Sequence, residues 1–435
     1  MEHTCNRALL DFIGASPTAW HAAENIARQL TEKGYRELYE QERWNLEPGG
    51  RYFVRRNGST LAAFCIPHKE PVGFMIFAAH TDSPSFHVKG LEPVTSVGLY
   101  AQLGVEKYGG MLMAPWLDRP LSVAGRVVVR EGERIKTRLV NIDRDLLVIP
   151  NVAIHMDRKV NEEKRWDTKI DMLPLLGSAG TAKDFHRLVA ETAGVSRENL
   201  LTADLRLYPR TPGCVWGAEE EYISSPRLDD LQCVFGGLQG FLSAGESESV
   251  PVFCAFDNEE VGSTSRQGAG STFLFDTLSR ICAALGLDAS EYRRLLAQSM
   301  MVSADNAHAV HPNHPEYADK TDRPVLNGGI VVKFNAGMKY TTDALSSAVF
   351  EEICRRVGVP VQRYSNRPDL AGGCTLGHIS LEQVSVPSVD VGLAQLAMHS
   401  CYETAGARDT DYLIRAAARY FSGSLRLDGE GLRIL

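Results

Sequence analysis

The sequence predicts an α/β protein: an α/β sheet domain assembled from both ends of the chain, with a β-rich domain inserted in its middle. Three observations carry this. Apolar strand-like runs alternate with helical spacing near the N-terminus; from about Pro93 to Glu221 the pattern changes to short alternating β segments with frequent turns; after Pro226 the helix and strand alternation resumes. With 435 residues the chain is about three times a typical domain, so more than one domain is expected. The expected boundaries are 1–92 and 222–435 for the discontinuous sheet domain and 93–221 for the insertion.

Taken in order, Ser16-Pro17 reads as a helix start, the serine as cap and the proline in the first turn. Helical spacing then runs from Ala19 to Leu30 and stops at Gly34. Strands are expected at Leu61–Ile66 and Val72–Ala79. The second is continuously apolar, as a strand covered on both faces must be, and ends abruptly in His80-Thr81-Asp82. The insertion predicts strands at Gly125–Val129, Thr137–Asn141, Leu146–Ile149 and Val152–His155, with one helix near Ala182–Ala193. Beyond it, strands are expected at Val252–Phe256, Met300–Ala304, Ile330–Phe334 and Ser388–Val391, and helices at Leu231–Ser243, Thr342–Val357 and Thr410–Phe421.

Composition narrows the function classes. A hydrophobic fraction of 44% with 23% charged residues excludes disorder as the main state. Lys plus Arg number 46 against 54 Asp plus Glu, and a net charge of −8 argues against nucleic acid as a partner. The longest clean apolar run, Val72–Ala79, is far short of the roughly 20 residues of a membrane helix. The run Leu9–Ala15 is broken by Asp11 and lacks a basic leader, so a cytoplasmic location is the expectation. The 9 cysteines are scattered without a CxxC pair, which suits reduced thiols better than a disulfide framework or a zinc ribbon.

In an open α/β sheet, functional groups gather beyond the carboxyl ends of the strands. Here those ends are rich in ligand-type residues. Val72–Ala79 leads into His80-Thr81-Asp82, Val252–Phe256 into Asp257-Asn258-Glu259-Glu260, Met300–Ala304 into Asp305, and Ser388–Val391 toward His399; Asp229-Asp230 opens a helix. Each has a bland alternative: a strand-end histidine is usually a satisfied semi-buried residue, and adjacent acids usually mark a solvated turn or a helix N-terminus. Together, imidazole and carboxylate without thiolate suit a dinuclear site for zinc, manganese or cobalt, and the reaction class is then hydrolysis. Of Glu259 and Glu260, one can bind metal while the other takes the proton of the attacking water. Asp82 is placed to accept the second ring N–H of His80. The stretch His308-Ala-Val-His311-Pro-Asn-His314-Pro cannot stack its histidines on one helix because Pro312 and Pro315 intervene. It reads as an active-site loop in which one or two histidines line the substrate cavity, His308 first, while His314 is structural or exposed.

Six segments together resemble the aspartyl aminopeptidase family of dinuclear zinc exopeptidases: FIGASPTAWHAAENI near the start, AAHTDSPSFHVK at 78–89, SSPRLDDL at 224–231, FDNEEVGS at 256–263, SADNAHAVHPNH at 303–314 and QLAMHS at 395–400. The resemblance spans nearly the whole chain in order. It implies a zinc-exopeptidase α/β domain with an inserted dimerisation domain, and hydrolysis of N-terminal Asp or Glu from peptides. It also implies two divalent ions per subunit, most simply Zn2+ with Mn2+ or Co2+ as alternatives. By resemblance, His80 and Asp305 would bind one metal, Glu260 and His399 the other, and Asp229 would bridge them; Glu259 would be general base and Asp82 the partner of His80. The Asp229-Asp230 peptide would be cis, and Lys333 with Tyr340 nearby would face the acidic side chain of the substrate. His155 would be lent to a neighbouring subunit's site to steady the oxyanion, within a dodecamer built from dimers. The chain departs from the family pattern at Cys374 and His378, and at Ser400-Cys401-Tyr402-Glu403, which puts the substrate pocket in question. A related aminopeptidase with neutral preference and an inactive scaffold shell are the rival readings.

Overall fold

The computed structural model describes residues 2–180, 184–370, 372–373, 375–428 and 431–435. Every residue of the strand Phe74–His80 is buried. Its side chains serve two different cores: Met75, Phe77 and Ala79 join one hydrophobic cluster, while Phe74, Ile76 and Ala78 join another. Successive side chains of a strand point to opposite faces, so a strand covered on both sides is apolar along its length, here up to His80 at its carboxyl end.

Six strands position the candidate site: β1 (Thr60–Cys65), β2 (Phe74–His80), β3 (Val250–Phe256), β4 (Met300–Ala304), β5 (Ile330–Phe334) and β6 (Ser388–Leu396). They belong to a 13-stranded mixed sheet in which β1, β3, β2, β4 and β6 are successive neighbours. β3, β2, β4 and β6 run parallel, which brings their carboxyl ends to one edge, while β1 is antiparallel to β3 and β5 antiparallel to β6. The register sets Phe256 beside His80 and Ala304 beside Val391. Helices α1 (Leu228–Ser243) and α2 (Asp409–Phe421) cover one face. They approach so closely that a Cβ on Gly240 would lie 2.5 Å from that of Ala417.

The helix expected after Ser16-Pro17 spans Ala19–Glu32, but Thr18 occupies the cap position. Ser16 is not the cap: its hydroxyl is buried and accepts a hydrogen bond from Asn25 Nδ2 at 2.9 Å.

The chain divides into two compact units. The first comprises Met1–Asp82, Gly213–Met398 and Glu403–Leu435; the second comprises Ser83–Pro212 and His399–Tyr402. The crossings fall at Asp82/Ser83 and Pro212/Gly213, not at 92/93 and 221/222. Strand pairing explains the difference. Ser85–Val88 is hydrogen-bonded into the second unit's sheet, and Cys214–Trp216 pairs with Tyr222–Ser225 in the first.

The second unit contains an antiparallel five-stranded sheet in the order Arg134–Asn141, Leu121–Glu131, Leu200–Pro209, Ser85–Val88, Val105–Tyr108. Its core includes Phe86 packed edge-on against Trp116, with ring centres 5.2 Å apart. The helix expected near Ala182–Ala193 spans Phe185–Thr192, capped by Asp184, whose carboxylate accepts from Arg187 N at 2.7 Å; residues 182 and 183 lie outside the described residues. Leu146–Ile149 makes only isolated bridges, and Val152–His155 is no strand: its apolar Val152 and Ile154 are exposed, with no neighbouring ladder to bury them. The short segment His399–Tyr402 belongs to this unit through its hydrogen bonds. Leu112 N donates to His399 O at 3.0 Å, Cys401 Sγ to Pro115 O at 3.0 Å and Tyr402 OH to Pro212 O at 2.8 Å. Among the described residues no helix is long and apolar enough to cross a membrane.

One bond ties α2 to the strands bearing the candidate site. The fully buried Tyr420 hydroxyl is shared between Met300 O at 2.7 Å and Ile76 O at 3.0 Å. Tyr420→Phe removes the donor from two buried carbonyls and should cost about 1–3 kcal/mol in urea unfolding; an unchanged midpoint would show that the bond contributes nothing.

Candidate metal centre

His80, the last residue of β2, is 1% exposed. Its Nδ1 donates to the main-chain carbonyl of Asp82 at 3.0 Å, which leaves Nε2 directed toward Asp229, 3.4 Å from Oδ1. The Asp82 carboxylate was expected to take that ring proton, but it stands farther off, at 3.5 Å from Nδ1. It instead receives the backbone N–H groups of Glu259 at 3.1 Å and Glu260 at 3.2 Å. Asp82 thus orients the imidazole through its backbone and the acidic pair through its side chain.

Glu259 and Glu260 lie in a tight turn after β3. Asn258 enters it with φ 65° and Gly262 leaves it with φ 95°; asparagine and glycine are the residues that tolerate this left-handed backbone best. Asn258 Oδ1 anchors the turn by accepting from Ser265 Oγ at 2.6 Å and Gln267 Nε2 at 2.9 Å. At the start of α1, Asp229 and Asp230 depart from helical dihedrals and the peptide bond between them is cis. Asp229 N donates to the buried Glu403 Oε2 at 3.0 Å, and His80 N donates to Asp230 Oδ2 at 3.2 Å.

Asp305 follows β4, its N–H donating to Val391 O at 3.0 Å. One donor atom each from His80, Asp229, Asp230 and Asp305 lie within 4.8 Å of one another, as do donor atoms of His80, Glu259 and Glu260. Imidazole and carboxylate gathered at this spacing, without thiolate in either group, fit zinc, manganese or cobalt. Lys333, buried near the end of β5, holds its Nζ 3.6 Å from Asp305 Oδ2 and 5.5 Å from the Tyr340 ring centre.

The electrostatics follow from crowding acids out of water. Burial raises the Glu259 carboxyl to about 8, with His80 opposing and Asp305, Asp82 and Asp229 adding to the rise. Burial and then the Asp229 charge push Glu260 well above the usual carboxylate range, and burial does the same to Asp230. Asp305 is also raised by burial, although the Lys333 charge opposes it. Burial disfavours a charged His80, yet the Asp230, Asp229 and Asp82 carboxylates outweigh it and raise the imidazole. Burial without a cation therefore favours the protonated form of Glu259, Glu260, Asp230 and Asp305.

The remaining sequence candidates are distributed as follows. His399 stands in left-handed backbone, φ 66°, directly after Met398. His155 is exposed in a turn of the second unit. His308 is exposed, its ring 6.0 Å from that of Tyr364, which is 6.2 Å from Tyr340. His311 and His314 are exposed and 5.4 Å apart, and His314 is paired with Glu316. His378 is exposed on the short helix Leu376–Ser380; Cys401 is buried; Cys374 lies outside the described residues. Sequence reasoning gave no role to Glu403, Asn306 or Asp390. Asn306 Nδ2 donates to Leu228 O at 3.1 Å and Gln395 Oε1 at 2.9 Å, bracing the start of α1. Its position directly after Asp305 was the available signal.

The chain matches known proteins over nearly its whole length. The family model for aminopeptidase I zinc metalloproteases (M18) matches residues 12–421. A probable M18 family aminopeptidase 2 of Clostridium acetobutylicum is 42% identical over 96% of this chain and 98% of its own length. Its counterpart in Pseudomonas paraeruginosa is 39% identical over 98% and 99%. Among solved structures, a chain of an Ape4 and Nbr1 complex superposes with a TM-score of 0.93 at 35% identity, covering 97% of this chain and 86% of that one. The S. cerevisiae mApe1 dodecamer gives 0.84 at 27% identity, covering 97% and 96%.

The raised carboxyls set a pH dependence. Between about 4.5, the ordinary value, and about 8, folded metal-free protein binds more protons than unfolded chain, so its stability should fall as pH rises through that window. Divalent ions take the place of those protons, so the rise in Tm on adding zinc should be larger at pH 8 than at pH 5. Thermal unfolding with chelator and with zinc across that range checks both; a metal-free Tm that climbs toward pH 8 would contradict the cluster's electrostatics.

Proposed function

The chain belongs to the aminopeptidase I zinc metalloprotease family (M18) and is a metallo-aminopeptidase; from that premise we propose that it removes N-terminal aspartate and glutamate from peptides at a dinuclear centre. The observation that carries the acidic preference is Lys333: an ammonium 3% exposed, beside Asp305 and against the Tyr340 ring, in a strand otherwise lined by Ile330, Val331 and Val332. A buried ammonium shared with Asp305 still attracts a substrate carboxylate more strongly than an apolar side chain such as leucine.

In this reading His80 and Asp305 would hold one divalent ion and Glu260 and His399 the other, with Asp229 available to both, zinc being the family's metal and manganese or cobalt compatible with the donors. When bound, the ions supply Lewis acidity to the scissile carbonyl and lower the pKa of the attacking water. Glu259, which is not assigned as a ligand, takes the water's proton and passes it to the leaving amine. Asp82 keeps His80 and the Glu259-Glu260 turn aligned by the bonds described above. Lys333 and Tyr340 receive the acidic side chain, with His308 farther along the same aromatic row through Tyr364. His155 of a second copy steadies the oxyanion, a role supported by its exposure among the exposed residues 151–156. Residues 83–212 would then serve self-association into a dodecamer, as in the S. cerevisiae mApe1 structure. The scattered cysteines, without a CxxC pair, suit a reducing compartment such as the cytoplasm.

Hydrolysis of aspartyl, glutamyl, leucyl and lysyl amides tests the specificity. Acidic substrates should lead, and equal or better leucyl turnover would reject the pocket assignment. Glu259→Gln should retain metal while lowering kcat by about 10²- to 10⁴-fold. Full kcat in that variant would remove Glu259 from the base role.

A further inference from the structure

Asp390 lies in β6, fully buried, and the register sets it beside Ser303 of β4. On its other side the antiparallel ladder with β5 ends at Val332 opposite Val391, and Lys333 and Asp390 are the residues that follow and precede that last pair. Both oxygens of the Asp390 carboxylate are engaged by hydrogen-bond donors, and its charge also favours the Lys333 ammonium. Oδ2 accepts from Thr341 N at 2.5 Å and Thr341 Oγ1 at 2.6 Å, and Oδ1 accepts from Thr375 Oγ1 at 2.5 Å. Its own backbone N–H donates to Thr342 Oγ1 at 2.9 Å. A single buried side chain thus gathers two loops, one immediately following Tyr340 and one leading into the helix Leu376–Ser380. The same two loops meet again where Lys339 Nζ donates to Gly372 O at 2.9 Å. There is no room for slack: a Cβ on Gly377 would approach Ser303 Oγ to 2.6 Å and Asp390 Oδ1 to 3.0 Å.

We infer that Asp390 is a positioning residue for acidic-substrate recognition: it fixes the Thr341 and Thr375 loops, and with them Tyr340, around the Lys333 ammonium. The inference rests on the acidic pocket proposed above. Its chemistry is specific to a carboxylate. Three donors converge on two acceptor oxygens, and an amide at the same place presents a donor to at least one of them. Thr341 supplies two of the three, so its hydroxyl is the most direct handle on the loop that carries Tyr340.

Asp390→Asn should lower kcat/KM for aspartyl and glutamyl substrates on the order of tenfold or more, chiefly through KM, and change that for alanyl substrates by less than about threefold. Bound metal should stay at the wild-type level. Thr341→Val, which keeps the shape and removes the hydroxyl, should move in the same direction, and Thr341→Ser, which keeps the hydroxyl, should restore the preference to within about threefold. If Asp390→Asn does not fold, the two Thr341 variants decide. Parallel losses on acidic and neutral substrates, a preference that survives in Asp390→Asn, or a serine variant as impaired as the valine one would each overturn the inference while leaving the acidic pocket standing. A wild-type enzyme indifferent to acidic side chains would overturn both.

Discussion

Acidic groups crowded together out of water are the constraint on which this site depends. Asp229, Asp230, Glu259, Glu260 and Asp305 converge on His80, and two like charges about 4 Å apart repel by about 4 kcal/mol even at an effective dielectric of 20. No arrangement of hydrogen bonds removes that repulsion; only positive charge or protons do. The imidazole of His80 and the ammonium of Lys333 supply part of it. The remainder is a standing demand for cations, which is how an assembly that is poor as a folding device becomes a metal-binding one.

The sheet holds the acids in place against that repulsion because none of the groups depends on a free loop for its position. His80 ends a strand whose two faces are locked in separate cores, Asp305 is tied to Val391 by a backbone hydrogen bond, and the Glu259-Glu260 turn is pinned by Asp82 below and Asn258 behind. Groups mounted on rigid strand ends keep their geometry when a ligand arrives, and rigidity of this sort is what the specificity proposed for Lys333 would require. The Asp390 network extends the same logic one layer outward, from the charged group to the loops that frame it.

Much of this was legible from local pattern. The continuous apolar run before His80, the four strands of the C-terminal half and the ligand-type residues at their ends are all encoded by neighbours in sequence, and periodicity reads neighbours well. The weaker expectations share a cause. Val152–His155 has strand-like composition but no ladder to join, Ser16 has cap chemistry but a different partner in Asn25, and the expected domain boundaries follow composition where the observed ones follow strand pairing. The resemblance to dinuclear exopeptidases supplied the grouping of distant residues that local pattern cannot express.

The amino-acid sequence by itself determined the fold class, the apolar strands with their acidic and imidazole termini, and the family. Those properties are sums over short-range preferences or matches of ordered motifs. Tertiary structure alone decided that Asp82 serves His80 with its backbone and the Glu259-Glu260 turn with its carboxylate, that His399 sits in a segment held by hydrogen bonds to Leu112, Pro115 and Pro212, and that Asp390 joins Thr341 to Thr375. In each case the groups could have satisfied their hydrogen bonds in several ways. Apart from the short-range bond between His80 and Asp82, the choice among them was made by residues many positions away, brought within about 3 Å only when the chain had folded.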